Sequence, residues 1–132
     1  MSLTTLTAIS PIDGRYRNKV AELGKYFSEF GLMKYRVLTE VEYFIALCEL
    51  PLPQLSDFDK GFYDALRSIY NDFNTDDATK IKDTEKVTNH DVKAVEYFIS
   101  DKLNQFDSKE LIPWIHFALT SDDINNLDYS LI

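Results

Sequence analysis

The amino-acid sequence predicts an all-α protein. Three observations carry that expectation. Apolar residues recur three and four positions apart over long stretches, which places them on one face of a helix. No segment sustains an alternation of period two. Only four Gly and four Pro occur in 132 residues, too few for a loop-rich β architecture.

Residues 1–9, "MSLTTLTAI", read as extended. "SPIDGRYR" follows, and its Ser-Pro and Asp-Gly steps are turn signals. A helical pattern is expected from about Asn18, with Gly24 its weak point. The clearest period runs from Ser28 to Leu50 through Phe30, Met33, Val37, Val41, Phe44 and Cys48. Pro51 and Pro53 end it, because neither donates an amide and each restricts its predecessor. A second helix is expected over 56–73, with a stripe of Phe58, Phe62, Leu66, Ile69 and Phe73 and a cap at Ser56 or Asp57. "NTDDATKIKDTEKV" reads as a short exposed helix capped by Asn74 or Thr75. The next helix is expected to start at Thr88 or Asn89, with the stripe Val92, Val95, Ile99, Leu103 and Phe106. After the linker "DSKELIP" and the segment "WIHFAL", a last helix starts at Thr120 or Ser121. Its stripe of Ile124, Leu127 and Leu131 stops with the chain, a pattern expected of a sequence cut from something longer.

Composition bounds the function. Twenty-two acidic and 14 basic residues leave a net charge of −8, which argues against a nucleic-acid surface. An anionic small molecule remains compatible, since salt screens exposed charges beyond about 8 Å. The lone Cys48 falls on an apolar face, so it reads as a buried, unreactive thiol suited to a reducing compartment. No apolar run is long enough to span a membrane and no signal-peptide pattern is present. A soluble, cytoplasmic protein is expected.

Three polar clusters sit at turns or helix starts. In Asp13-Gly14-Arg15-Tyr16-Arg17, Gly14 permits a tight turn that aims Arg15 and Tyr16. The planar fork of an arginine suits a phosphate or carboxylate, and the plain alternative is a surface pair with Asp13. In Thr88-Asn89-His90-Asp91, Thr88 and Asp91 have capping-box spacing. His90 then either caps and packs or faces an anion bound at the helix N-terminus. In Thr120-Ser121-Asp122-Asp123, with His116 one turn earlier, hydroxyls at a helix start serve a carboxylate or simply cap. Two histidines 26 residues apart do not form a zinc site.

"SPIDGRY", "TNHDVKAVEYFI" and "IHFALTSDDINN" occur in the order found in the adenylosuccinate lyases, and over essentially the whole chain the sequence resembles that family of the fumarase/aspartase superfamily. The resemblance implies an all-helical fold. Residues 1–111 would form an N-terminal helical domain, and 112–132 the start of a central bundle shared within a homotetramer. It implies β-elimination of fumarate from adenylosuccinate, giving AMP, and from a succinylated aminoimidazole carboxamide ribotide, with no cofactor or metal. By resemblance Arg15 and Tyr16 bind the nucleotide. Asn89, His90 and Asp91 bind substrate, with His90 near the reacting end and a candidate catalytic group. His116 serves the phosphate side, and Thr120 and Ser121 contact the succinyl carboxylates. The family's catalytic serine and a second catalytic histidine lie beyond position 132. The alternative is an inactive helical fragment that serves only as a folding or association module.

Overall fold

A computed structural model describes residues 4–132. Its helices are α1 (Gly24–Phe27), α2 (Glu29–Glu49), α3 (Tyr63–Asn71), α4 (Thr75–Thr88), α5 (Asp91–Gln105) and α6 (Ser121–Leu131), joined by turns and short 3₁₀ segments. No strand occurs among the described residues. The long α2 is the hub and packs against α1, α3, α4, α5 and α6. Its predicted stripe is buried: Met33, Val37, Val41, Phe44 and Cys48 all lie in the core. Ser28 caps it by accepting from the Gly31 amide at 3.1 Å. From α5, Val95, Ile99 and Leu103 meet α2 and α4, and Leu66 and Ile69 enter from α3. Aromatic edges lock the layers: Phe73 meets Phe98 at 5.7 Å and Phe62 meets Phe106 at 5.7 Å. Fully burying each such side chain contributes roughly 1.5–3 kcal/mol.

Several boundaries differ from the expectations. Residues 1–3 of the extended N-terminal stretch lie outside the described residues, and Thr4–Thr7 forms a turn instead. The Thr4 amide donates to Thr7 Oγ1 at 2.7 Å and the Thr7 amide to the Thr4 carbonyl at 3.1 Å. Threonine hydroxyls compete here with the extended backbone. The helix expected from Asn18 is two 3₁₀ turns, Arg17–Lys19 and Ala21–Leu23, leading into the single-turn α1. The second helix begins at Tyr63 rather than Ser56 or Asp57. Asp59 Oδ1 accepts from the Gly61 amide at 2.8 Å, which holds a turn where α-helix was expected. Phe58 and Phe62 still pack on the core, Phe62 from a short 3₁₀ turn at Lys60–Phe62. The helix expected to be exposed, α4, is anchored. Ile81 and Asp77 are buried, and Lys102 of α5 reaches Asp77 at 3.2 Å.

The last helix starts where expected and buries a different face. Ile124 and Asp128 point inward, whereas Leu127 and Leu131 are each 49% exposed. Ile124 and Asp128 are four apart, so one helical face meets α2 with an apolar and an acidic group together.

Cys48 is buried, and burial pushes its thiol up to about 11. The thiolate is the nucleophile, so a maleimide should leave folded Cys48 unmodified and react on unfolding. Labelling of the native chain as fast as that of the urea-unfolded chain would contradict the packing of α2. No helix among the described residues is long and apolar enough to cross a membrane.

Candidate active site

The segment Thr88–Asp91 is the junction between α4 and α5, and α5 starts at Asp91 rather than at Thr88 or Asn89. Thr88 is the last residue of α4, and its Oγ1 donates to the Thr84 carbonyl at 3.1 Å. Asn89 terminates α4 in the left-handed conformation, φ 51°, which asparagine tolerates better than most residues. The capping box of Thr88 with Asp91 is therefore absent. His90 is the cap: its Nδ1 accepts from the Lys93 amide at 3.2 Å. An accepting Nδ1 carries no hydrogen, so the neutral ring bears its hydrogen on Nε2. That nitrogen lies 3.4 Å from Ser121 Oγ.

This contact joins two segments 31 residues apart in sequence. Ser121 opens α6, and the N-terminal residues of α5 and α6 converge on one point. Each helix N-terminus carries a partial positive charge, and each is partly satisfied from within the chain: the Val92 amide donates to Asp91 Oδ1 at 2.9 Å, the Lys93 amide is held by His90, and Asp122 and Asp123 sit in the first turn of α6. His90 has a half-exposed side chain, 50%, leaving room for a ligand. Thr120 is committed locally: its amide donates to Asp123 Oδ2 at 2.7 Å and its Oγ1 to the same oxygen at 3.0 Å. Those bonds, the backbone one first, hold the Asp123 carboxyl below its usual range.

Four polar residues that organise this corner come from α2. Arg36, Glu40 and Tyr43 lie at helical spacing with Thr39 among them, and together they form a second, polar seam. Arg36 Nη2 pairs with Asp91 Oδ2 at 2.9 Å, and its Nε donates to Asn125 Oδ1 at 3.1 Å while lying 3.4 Å from Asp128 Oδ2. One guanidinium thus ties the first turn of α5 to α6. Thr39 Oγ1 donates to Asp128 Oδ1 at 3.0 Å. Asp128 is 1% exposed, and its Oδ2 has no hydrogen-bond partner among the described residues. Burial pushes its carboxyl up to about 7, against the pull of Thr39 and Arg36. Tyr43 donates its hydroxyl to the Phe117 carbonyl at 2.9 Å.

His116 does not stand free one turn before α6. Its Nδ1 lies 2.6 Å from Glu40 Oε1. Both His116 (φ 58°) and Ala118 (φ 61°) adopt the left-handed backbone, which costs L-residues roughly 1–2 kcal/mol each. The segment is kept in that shape by Glu40 and by Tyr43 on its neighbour Phe117.

Arg15 and Tyr16 occupy a separate loop. Arg15 Nη2 donates to Tyr16 OH at 2.9 Å, and its guanidinium carbon sits 4.7 Å from the centroid of the same ring. The expected surface pair with Asp13 is taken by Arg17 instead. Among the described residues Arg15 has no carboxylate partner, and its charge is available to an anion. Gly14 is required at this turn, since a Cβ there would meet the Thr5 carbonyl oxygen at 2.9 Å and Ala8 Cβ at 3.0 Å. No hydrogen bond or ion pair among the described residues links this loop to the His90–Ser121 corner. Among the described residues no group of three or more His, Cys, Asp or Glu is placed to hold a metal ion.

The polar seam escaped the sequence reading. Its spacing was visible, but charged residues at helical spacing also mark a solvated face, and only the partners on α5 and α6 distinguish the two.

Comparison with known proteins agrees with this architecture. The chain is 48% identical to adenylosuccinate lyase of Legionella pneumophila (strain Corby) over 134 residues, covering 100% of this chain and 29% of that protein. It is 52% identical to the adenylosuccinate lyase of Dictyostelium discoideum over 132 residues, 96% of this chain and 28% of that protein. Against the Escherichia coli (strain K12) adenylosuccinate lyase it is 43% identical over 134 residues, 100% of this chain and 29% of that protein. The chain thus spans less than a third of the length of these curated relatives. The family model described as Lyase matches residues 14–132, and the chain belongs to that lyase family.

Proposed function

We propose that the chain is the N-terminal part of an adenylosuccinate lyase. The whole enzyme would release fumarate from adenylosuccinate, giving AMP, and from the succinylated aminoimidazole carboxamide ribotide. The observation that carries this reading is the contact between His90 Nε2 and Ser121 Oγ at 3.4 Å. It unites two of the three resembling motifs where two helix N-termini converge. A dicarboxylate such as a succinyl group would be held there by side-chain donors, Ser121, Asn89 and the Nε2–H of His90, beside the partial positive charge of the two helix starts. Thr120 and Asp91 act beside them, Thr120 by shaping the start of α6 and Asp91 through Arg36. Arg15 and Tyr16 would hold the nucleotide end, and His116 a phosphate oxygen. β-Elimination also needs a base to take the proton beside a carboxylate and an acid for the leaving nitrogen. These groups are assigned to the remainder of the enzyme and to neighbouring subunits.

The assembly read from the sequence, a cytoplasmic homotetramer with 112–132 opening a shared helical bundle, belongs to the same proposal. The exposed Phe117, Leu127 and Leu131 support it, because apolar side chains left in water favour association. The 132-residue chain alone is expected to release no fumarate.

A chimera tests the assignments. This chain would replace the matching segment of the Legionella pneumophila enzyme. In the chimera, Arg15→Ala should raise KM about ten- to a hundredfold with little change in kcat. The lost contact is charge-assisted, roughly 1.5–3 kcal/mol, and the bound charge is the same in ground and transition states. Steady-state kinetics on adenylosuccinate would check it. An unchanged KM would remove Arg15 from the nucleotide site.

A further inference from the structure

Glu40 lies outside all three motifs. It is 1% exposed, its Oε1 lies 2.6 Å from His116 Nδ1, and its buried Oε2 has no hydrogen-bond partner among the described residues. A carboxyl in such a place is costly to keep, and among the described residues its side-chain partner is a histidine held in left-handed backbone. We propose that Glu40 is a positioning residue for His116: its carboxylate accepts the Nδ1–H of the ring, fixes the tautomer of the neutral ring and leaves Nε2 facing a ligand, where it accepts when neutral and donates to a phosphate oxygen when the ring takes up a second proton.

The argument is one of donors and acceptors. An ionised carboxylate only accepts, so the imidazole nitrogen facing it must carry the hydrogen. Imidazole is ordinarily more basic than a carboxylate by about two pKa units, which places the shared proton on Nδ1. Burial acts in the opposite sense and raises the Glu40 carboxyl, while His116 pulls it back down. The competing arrangement is a protonated Glu40 that donates to Nδ1 and leaves the hydrogen of the ring on Nε2. His90 supplies the contrast. Its Nδ1 accepts from a backbone amide, so the two histidines of the chain carry opposite tautomers. That His116 touches substrate rests on the proposed function, whereas its tautomer does not.

Long-range ¹H–¹⁵N correlation spectra of the chain labelled at histidine test this at mildly alkaline pH. His90→Asn assigns the two rings. The expected result is a protonated Nδ1 in His116, with or without a second proton on Nε2, and an unprotonated Nδ1 in His90. Glu40→Leu should lose the His116 Nδ1–H signature and give the Nε2–H form favoured in water. Glu40→Gln, whose amide oxygen still accepts, should keep it. An unprotonated Nδ1 in wild-type His116 would overturn the proposal, as would a Glu40→Leu spectrum identical to wild type. The wild-type spectrum decides even if Glu40→Leu fails to fold. An inactive chimera would leave this tautomer standing, and a wrong tautomer would leave the lyase reading standing.

Discussion

Replacing Arg36 with Met is expected to destabilise the fold by about 3–5 kcal/mol at about pH 8, because it strands a buried charge. The Arg36 side chain is 11% exposed and faces Asp91, Asn125 and Asp128 at once. Methionine keeps the length of the stem, so the loss is the guanidinium rather than the packing. Among the described residues no other cation pairs with Asp128, and Asp91 loses its link to α2. The loss should shrink as pH falls. The Asp128 carboxyl is pushed up to about 7 in the folded chain, above its ordinary unfolded value. Between those values the native state binds more protons than the unfolded state, so stability falls as pH rises through the window. Below about 7 the folded Asp128 carboxyl is largely neutral, so its need for Arg36 largely disappears as the pH falls through that value. Adding Asp128→Asn to Arg36→Met should therefore recover much of the loss at about pH 8. Urea midpoints of the single and double variants check both statements. A single variant as stable as wild type at about pH 8 would show that the polar seam of α2 is solvated.

Replacing His90 with Asn is expected to leave the fold intact and lower kcat about 10²-fold or more in the chimera, with little change in KM. Asparagine is among the best N-cap residues, so its side-chain oxygen can take over the Lys93 amide that His90 Nδ1 now holds. It cannot return an Nε2–H to the point beside Ser121. The substitution separates the two roles that the junction gives one residue. If His90 positions or polarises the reacting succinyl end, the loss falls on kcat. A change in KM alone would make His90 an anion contact and no more. A loss of thermal stability larger than about 1 kcal/mol would mean that the cap, not the chemistry, is what His90 supplies.

The parts of this protein that were legible in sequence are those where one helix carries its own signal. The stripe of α2, the apolar positions of α5 and the start of α6 at Ser121 all follow from local spacing and were found in place. Boundaries failed where side chains compete with the backbone, as at Asp59 and Gly61 before α3, and at Asn89. The junction between α4 and α5 is only two residues long, and a threonine that reads as a cap turned out to be a last helical residue. The site was legible as three motifs but not as an arrangement. Nothing in "TNHDVKAVEYFI" announces that His90 meets Ser121. Nothing in the α2 sequence separates Arg36, Thr39, Glu40 and Tyr43 from a wet face. Asp128 was hidden for the same reason, since the apolar Leu127 and Leu131 drew the stripe to the other side of α6.

These positions act together only if the chain serves the enzyme whose motifs it carries. Fumarate release by the chimera with the Legionella pneumophila enzyme measures that directly. The account predicts loss of adenylosuccinate with release of AMP and fumarate, abolished when Arg15 and His90 are both replaced. A chimera that is soluble, helical and assembled like the parent enzyme, yet leaves adenylosuccinate unchanged, would contradict it.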